Sequence, residues 1–148
     1  MRKGKAVPRK FTDAQYFELL TKKLFVSGFS WAVVDKKWRR FCEVFYDFDP
    51  ETVADMPAEL VEHIMKDAGI VRNGTKVKAT VRNAGEMMKV AGEFRSFSRY
   101  LRSMDGLSYD QRSKQIAKRF ACVGPNTVYY FLRECGEPVP SVKPPGVG

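Results

Sequence analysis

Apolar residues recur along this chain at the three-to-four-residue spacing of helices. Phe17, Leu20 and Leu24 form one stripe, with Thr12 or Asp13 placed to cap its start and Gly28 to break it. Ser30 is positioned to cap a second helix, whose stripe runs Trp31, Val34, Trp38, Phe41 and Phe45. Asp49-Pro50 sets a capping side chain before a proline at the first helical position, and Met56-Pro57 repeats the proline. Leu60, Val61, Ile64, Met65 and Ala68 line the next helix, up to Gly69. Val77, Val81, Ala84, Met88 and Ala91 line another, with Gly92 as its stop. The spacing predicts shorter helices over 96–104 and 108–119, and a last one over about 126–135. No stretch alternates with the period of two that marks a strand. The pattern predicts an all-α protein, a compact bundle of seven or eight short helices.

The two ends fall outside this pattern. Residues 1–10, five of them Lys or Arg, read as a disordered basic arm. Residues 11–137 form the helical domain, and 138–148 a Pro/Gly-rich tail or cap strand whose prolines exclude a helix. At 148 residues the chain suits one domain with its own core, and 44% hydrophobic with 29% charged residues is a folding composition. No apolar run approaches a membrane span, and no apolar segment of signal-peptide type follows the basic N-terminus. A cytoplasmic protein is expected, and the Asn73-Gly74-Thr75 sequon then has no use. Three cysteines (Cys42, Cys122, Cys135) without CxxC spacing fit a reducing compartment. With His63 as the one histidine, no zinc site is expected.

Charge changes the picture more than composition does. The formal charge is +9, but it is divided unevenly. Residues 1–40 hold eleven bases and three acids; 41–65 hold seven acids and no Lys or Arg; 66–148 hold fifteen bases and seven acids. A polyanion would meet the first and third segments and avoid the second, unless the pattern is only an uneven solvated surface. The run from Arg119 to Val128 adds a local feature: a basic helix ends, a tight apolar turn carries Gly124, and a new helix starts at once. Such a helix-hairpin-helix turns backbone N–H groups outward, where they hold a DNA phosphate; an ordinary αα-corner looks the same in sequence. Lys118, Arg119, Val123, Gly124, Asn126 and Thr127 are the candidate DNA-binding residues.

From Tyr16 to Glu137 the chain resembles the DNA-3-methyladenine glycosylase I family of the helix-hairpin-helix glycosylases. The matching stretches include Tyr16-Phe17-Glu18-Leu19-Leu20, Ser27-Gly28-Phe29-Ser30-Trp31, Phe48-Asp49-Pro50-Glu51-Thr52-Val53-Ala54, Asp67 through Asn73, Lys76 through Ala84, Ser96 through Leu101, and Phe120 through Tyr129, in the family's order. The resemblance implies a monofunctional enzyme of base-excision repair. It would flip an alkylated purine such as 3-methyladenine out of double-stranded DNA and hydrolyse its N-glycosidic bond. The implied protein is a monomer, associated with the nucleoid. The alternative is a helix-hairpin-helix protein that binds DNA or lesions without catalysis.

The chain departs from the family at its chemical positions. The zinc site of the best-known members is not matched, so the resemblance implies no metal or other cofactor. The glutamate that reads the base falls on Lys23, and the region past the hairpin helix, Val142 through Pro145, holds no catalytic aspartate. The lysine of strand-cleaving members falls near Asn126. The candidate catalytic residues are therefore Glu18, Lys23 and Asp35. Each also has an ordinary reading: an i, i+4 pair of Glu18 with Lys22, a snorkelling lysine, and a surface acid. Tyr16, Phe25, Phe29 and Trp31 are the candidate base pocket, where aromatic faces hold a cationic ring. Trp31 also opens a core stripe, and Phe29 is placed as a wedge into the base stack.

Overall fold

The computed structural model describes residues 11–148, so the basic arm expected at 1–10 lies outside the described residues. Among the described residues there are eight α-helices and no strand. They are α1 (Asp13–Val26), α2 (Trp31–Val44), α3 (Pro50–Ala54), α4 (Ala58–Met65), α5 (Gly74–Phe94), α6 (Phe97–Ser103), α7 (Tyr109–Arg119) and α8 (Pro125–Glu134). The ends of these helices follow from short polar side chains. Thr12 Oγ1 accepts from the Gln15 N–H at 3.1 Å while the Gln15 side chain accepts from the Thr12 N–H at 2.8 Å, a reciprocal cap that Ser108 and Gln111 repeat on α7. Ser30, Asp49, Asn73 and Ser96 each accept from the third residue beyond them. Only α4 and α8 begin without a side-chain cap.

The long α5 runs through the middle and packs against α1, α3, α4 and α6, while α8 lies against α1 and α7. Aromatic residues fill the spaces. Trp38 lies stacked between Phe41 (4.8 Å) and Phe48 (5.3 Å, rings nearly parallel), and Tyr16, Phe97 and Phe131 form a second cluster. Between α2 and α3 the turn Tyr46, Asp47, Phe48 has φ of 52°, 53° and 57°. Left-handed backbone costs about 1–2 kcal/mol per non-glycine residue. The fully buried rings of Phe45 and Phe48 offset it, since burying each contributes about 1.5–3 kcal/mol.

Three stripe assignments shift. Trp31 does not begin the core face of α2: it is 67% exposed, and the buried stripe starts at Val34. The fourth helix stops at Met65 rather than Gly69, with Ala68 exposed. Gly69 answers to packing instead, because a Cβ there would meet Arg40 Cγ at 2.7 Å. Gly92 does not stop α5, which continues to Phe94 and ends where Arg95 turns left-handed at φ 75°. The buried face of α5 is Val77, Thr80, Ala84, Met87 and Val90, one position off the predicted set at several places, and Met88 is exposed. A helix of 21 residues carries enough turns for a stripe to be read in either of two registers.

The tail after α8 is neither helix nor strand, and it is tied down. The Glu137 side chain is 1% exposed and pairs with Arg102, with Arg112 Nη1 at 3.8 Å; Arg112 also donates to the Pro138 carbonyl at 3.2 Å. Tyr129 donates to the Pro140 carbonyl at 3.3 Å. No helix among the described residues is long and apolar enough to cross a membrane. Replacing Glu137 by Ala leaves Arg112 buried without its carboxylate and is expected to cost about 3–5 kcal/mol in urea unfolding. Lys114→Ala, which breaks the exposed pair with Asp110, is expected to change the midpoint little. Equal effects of the two would contradict this account.

Candidate functional site

A cavity of about 700 Å³ opens between the end of α1, the start of α2 and the exposed side of α8. Three polar side chains fix its walls. Lys76, in the first turn of α5, donates to the carbonyl oxygens of Phe25 (3.2 Å) and Ser27 (2.9 Å), where α1 runs out of helical partners. Desolvation pushes the Lys76 pKa below its usual value, with the nearby Cys122 acting the other way. Asn83 exchanges two hydrogen bonds with the backbone of Ala121: its amide donates to the carbonyl at 3.0 Å and its oxygen accepts the N–H at 2.7 Å. Lys76 and Asn83 are seven residues apart, two turns along one face of α5. Between the walls, Asn126 Nδ2 donates to Ser27 Oγ at 3.3 Å.

The hairpin turn between α7 and α8 is anchored by buried Phe120 and Val123. Its left-handed residue is Cys122, at φ 58°, not Gly124, which is extended. Gly124 serves by what surrounds it: a Cβ there would meet nothing within 4 Å, so its face lies open. The first intrahelical bond of α8 runs from Val128 N–H to Gly124 O at 3.0 Å. Pro125 has no N–H, and the N–H groups of Asn126 and Thr127 precede that bond with no side chain capping them. That is the arrangement an anion takes up at a helix start.

The predicted residues divide sharply. Phe29, half exposed, and Trp31 stand on the rim and line the cavity together with Lys23, Asn126 and Thr127. Tyr16 and Phe25 do not: both are fully buried core rings, Tyr16 against Phe97 at 4.8 Å and Phe25 against Phe41 at 4.7 Å. Their helix positions belong to the inward stripe of α1, which carries them away from the cavity. Glu18 is also elsewhere. Its carboxylate accepts from Trp38 Nε1 at 2.9 Å and from Cys42 Sγ at 3.8 Å, beside a smaller neighbouring hollow. Burial and that carboxylate raise the Cys42 pKa to about 11, so it stays a thiol and donates. Lys22 does not pair with Glu18; it binds Asp35 at 2.7 Å and holds that carboxyl below its usual range. Neither acid lines the cavity.

At the hairpin, Arg119 is turned toward α5, bound to Glu86 at 3.2 Å and Glu93 at 3.1 Å with its guanidinium over Tyr100. Lys118 lines the same groove, away from the open start of α8. Val123 and Thr127 are buried, which leaves mainly their backbone for a partner. Sequence reasoning missed Lys76 and Asn83, although Asn83, three positions past Thr80 and beside Ala84, falls on the buried stripe of α5 and is conspicuous there as a polar group. It also missed Tyr130 and Arg133 of α8, and the tail. Tyr130 donates to the Gly148 carbonyl at 2.7 Å, and the Gly148 N–H donates to Asn126 Oδ1 at 3.3 Å, so the tail forms part of the rim. Among the described residues no group of three His, Cys, Asp or Glu side chains is gathered as a metal site.

The methyladenine glycosylase family model matches residues 6–138 of this chain. The chain is 30% identical to DNA-3-methyladenine glycosylase 1 of Escherichia coli K12, over 84% of this chain and 78% of that protein. It is 27% identical to the DNA-3-methyladenine glycosylase of Haemophilus influenzae, over 86% and 79%. The solved structure of 3-methyladenine DNA glycosylase I from Staphylococcus aureus matches with a TM-score of 0.76 at 31% identity, covering 94% of this chain and 86% of that one. A Tyr-to-Phe variant of 3-methyladenine DNA glycosylase I in complex with 3-methyladenine matches at a TM-score of 0.77, 31% identity and 94% and 87% coverage.

Removing the Lys76 ammonium (Lys76→Met) is expected to lower stability by about 1–3 kcal/mol, the range for losing charged hydrogen bonds at a partly buried site. Asn83→Ala falls in a similar range, about 1–3 kcal/mol, because it leaves the half-buried N–H and carbonyl of Ala121 without their partner. Amide hydrogen exchange separates the two: Lys76→Met speeds exchange at Phe29, whose N–H bonds Val26 O at 2.8 Å, while Asn83→Ala speeds it at Ala121. Uniform acceleration across the chain would refute a local role for either.

Proposed function

This chain belongs to the methyladenine glycosylase family, and we infer that the cavity between α1, α2 and α8 receives an alkylated base flipped from DNA. The protein is a hydrolase of base-excision repair, acting on the N-glycosidic bond of alkylated bases. The observation that carries the cavity assignment is the pairing of exposed Trp31 and Phe29 with the uncapped start of α8. Trp31 at 67% and Phe29 at 50% exposure are gathered at the mouth of one cavity, and exposed apolar groups gathered in this way mark a surface that a partner covers.

Each part has a task. The N–H groups of Asn126 and Thr127 hold a backbone phosphate, the open face of Gly124 lets it approach, and Phe29 fills the space the flipped base leaves. Trp31 offers a ring face to the base, and Tyr130 lines the same cavity. Alkylation at N3 places a positive charge on a purine, so the C1′–N9 bond breaks with its electron pair moving onto the ring. Water adds to C1′ and a proton leaves to solvent. The base departs neutral, which lowers the demand for a general acid; this fits a cavity whose lining includes no side-chain carboxylate. With no lysine near Asn126, where the lysine of strand-cleaving members would fall, hydrolysis is expected to end at an abasic site. None of the lining residues comes from the acidic segment 41–65, as expected for a polyanion's docking face.

Chromatography of bases released from methylated genomic DNA tests the reading. The wild type is expected to release 3-methyladenine and leave abasic sites without strand breaks. Trp31→Ala is expected to slow release by about tenfold or more, the loss typical of a stacking face, while its melting temperature stays unchanged because the side chain is outside the core. DNA binding should weaken steeply as salt rises. Folded, DNA-bound protein that releases no base would instead favour a non-catalytic lesion binder.

A further inference from the structure

Two cations gather at one ring beside the cavity. The Arg133 guanidinium lies 4.9 Å from the Tyr130 ring centre and the Lys143 ammonium 5.5 Å. The ion pairs of this region run from Glu134 to Lys23 and from Glu137 to Arg102 and Arg112; neither Arg133 nor Lys143 shares in one among the described residues. Like charges brought this close repel, a cost that an anion shared by both removes. The chain nevertheless holds Lys143 in place. Tyr129 binds the Pro140 carbonyl, and Pro144-Pro145-Gly146-Val147 closes a four-residue turn in which the Val147 N–H donates to the Pro144 carbonyl at 3.2 Å. Pro145 and Gly146, the latter at φ 87°, take the second and third places, where such a turn favours proline and glycine. The turn returns the tail to α8, where the Gly148 oxygen accepts from Tyr130 at 2.7 Å and from Lys143 at 3.3 Å.

On α8, Asn126, Tyr130 and Arg133 fall at i, i+4 and i+7 and line the cavity along one face. The open N–H groups at the start of α8 and the Arg133 backbone are thus two turns apart, about 10 Å. A helical side chain leans back toward the N-terminus, and the contact with Tyr130 places the Arg133 guanidinium on that side. A strand that runs along this face from a phosphate at the start of α8 brings its next phosphate toward Arg133 and Lys143. We propose that these two cations hold that second phosphate, so that the strand is gripped on both sides of the nucleotide that leaves the stack. This rests on the reading of the cavity as the base pocket. A guanidinium presents paired N–H donors that match a phosphate, and the Lys143 ammonium has three donors, of which its bond to Gly148 takes one. Fixing both phosphates holds the sugar between them at the cavity mouth, which makes Arg133 and Lys143 positioning residues.

The test pairs changes in the protein with changes in the DNA. Fluorescence anisotropy measures binding of the whole chain to a duplex that carries a stable abasic analogue. The two phosphates flanking the analogue are replaced in turn by an uncharged methylphosphonate. Each replacement is expected to weaken wild-type binding about tenfold, the order of one charged hydrogen bond. The double variant Arg133→Met, Lys143→Met should bind the unmodified duplex about tenfold more weakly, with its melting temperature unchanged because both side chains are exposed. In that variant one replacement should cost nothing further, while the other costs as much as in the wild type. The slope of log affinity against log salt should also fall by about one, the value of one phosphate contact. Lys114→Met, on α7 and paired with Asp110, controls for overall charge. Both replacements weakening the double variant as much as the wild type, or Lys114→Met lowering the slope equally, overturns the proposal while leaving the base pocket in place. Wild-type protein that binds neither this duplex nor an intact one at low salt would remove the base-pocket reading and the proposal together.

Discussion

The cavity exists because a lysine ammonium reaches across from α5 and binds the last carbonyl groups of α1. Without Lys76, the carbonyl oxygens of Phe25 and Ser27 would end a helix against a half-buried wall with no donor between them. With it, the turn carrying Gly28, Phe29 and Ser30 leaves α1 in one direction, and α2 starts with Trp31 facing out. Two helical turns further along, Asn83 does the equivalent work for the hairpin, and Asn126 joins the two walls at Ser27. One face of one helix thus sets the distance between the aromatic rim and the open start of α8. Desolvation of Lys76 is the cost of this arrangement, and the two carbonyl contacts offset it.

That frame separates binding from charge. The acids nearest in sequence to the rim are held in structural bonds, Glu18 by the Trp38 indole and Asp35 by Lys22. The side chains left facing the cavity include no carboxylate. A site of that kind contributes by stacking, orientation and hydrogen bonding, and it depends on a substrate whose glycosidic bond is already weakened. The chemistry and the electrostatics are consistent: a leaving base that departs neutral needs little help from a carboxylate.

Much of the fold could be read from the sequence, because helix caps are local. Thr12, Ser30, Asp49, Ser96 and Ser108 each sit one residue before a helix and accept from its first turn. The longest helix was less legible. Val77, Val81, Ala84, Met88 and Ala91 satisfy helical spacing as well as the stripe that is buried, and only contacts with α1, α3 and α6 choose between them. The left-handed turn at Tyr46–Phe48 had little local signal, since only Asp47 among those residues readily takes positive φ. It follows from burying Phe45 and Phe48 together. The site divided the same way. Phe29, Trp31 and Lys23 could be found because they flank one turn. Tyr16 and Phe25 could not be separated from the core by spacing alone, and Arg119 looked free because its partners, Glu86 and Glu93, lie about thirty residues away on another helix. Lys76, Tyr130, Arg133 and the tail enter through contacts that no local pattern encodes.

The most direct measurement is a crystal structure of the protein with duplex DNA carrying a stable abasic analogue. The account predicts a phosphate oxygen within about 3 Å of the N–H groups of Asn126 or Thr127, the usual hydrogen-bond reach. It also predicts the Phe29 ring in the gap of the base stack, with the abasic sugar at the mouth of the cavity beside Trp31. DNA lying instead along the groove of Lys118 and Arg119, with the cavity turned away from it, would contradict the account.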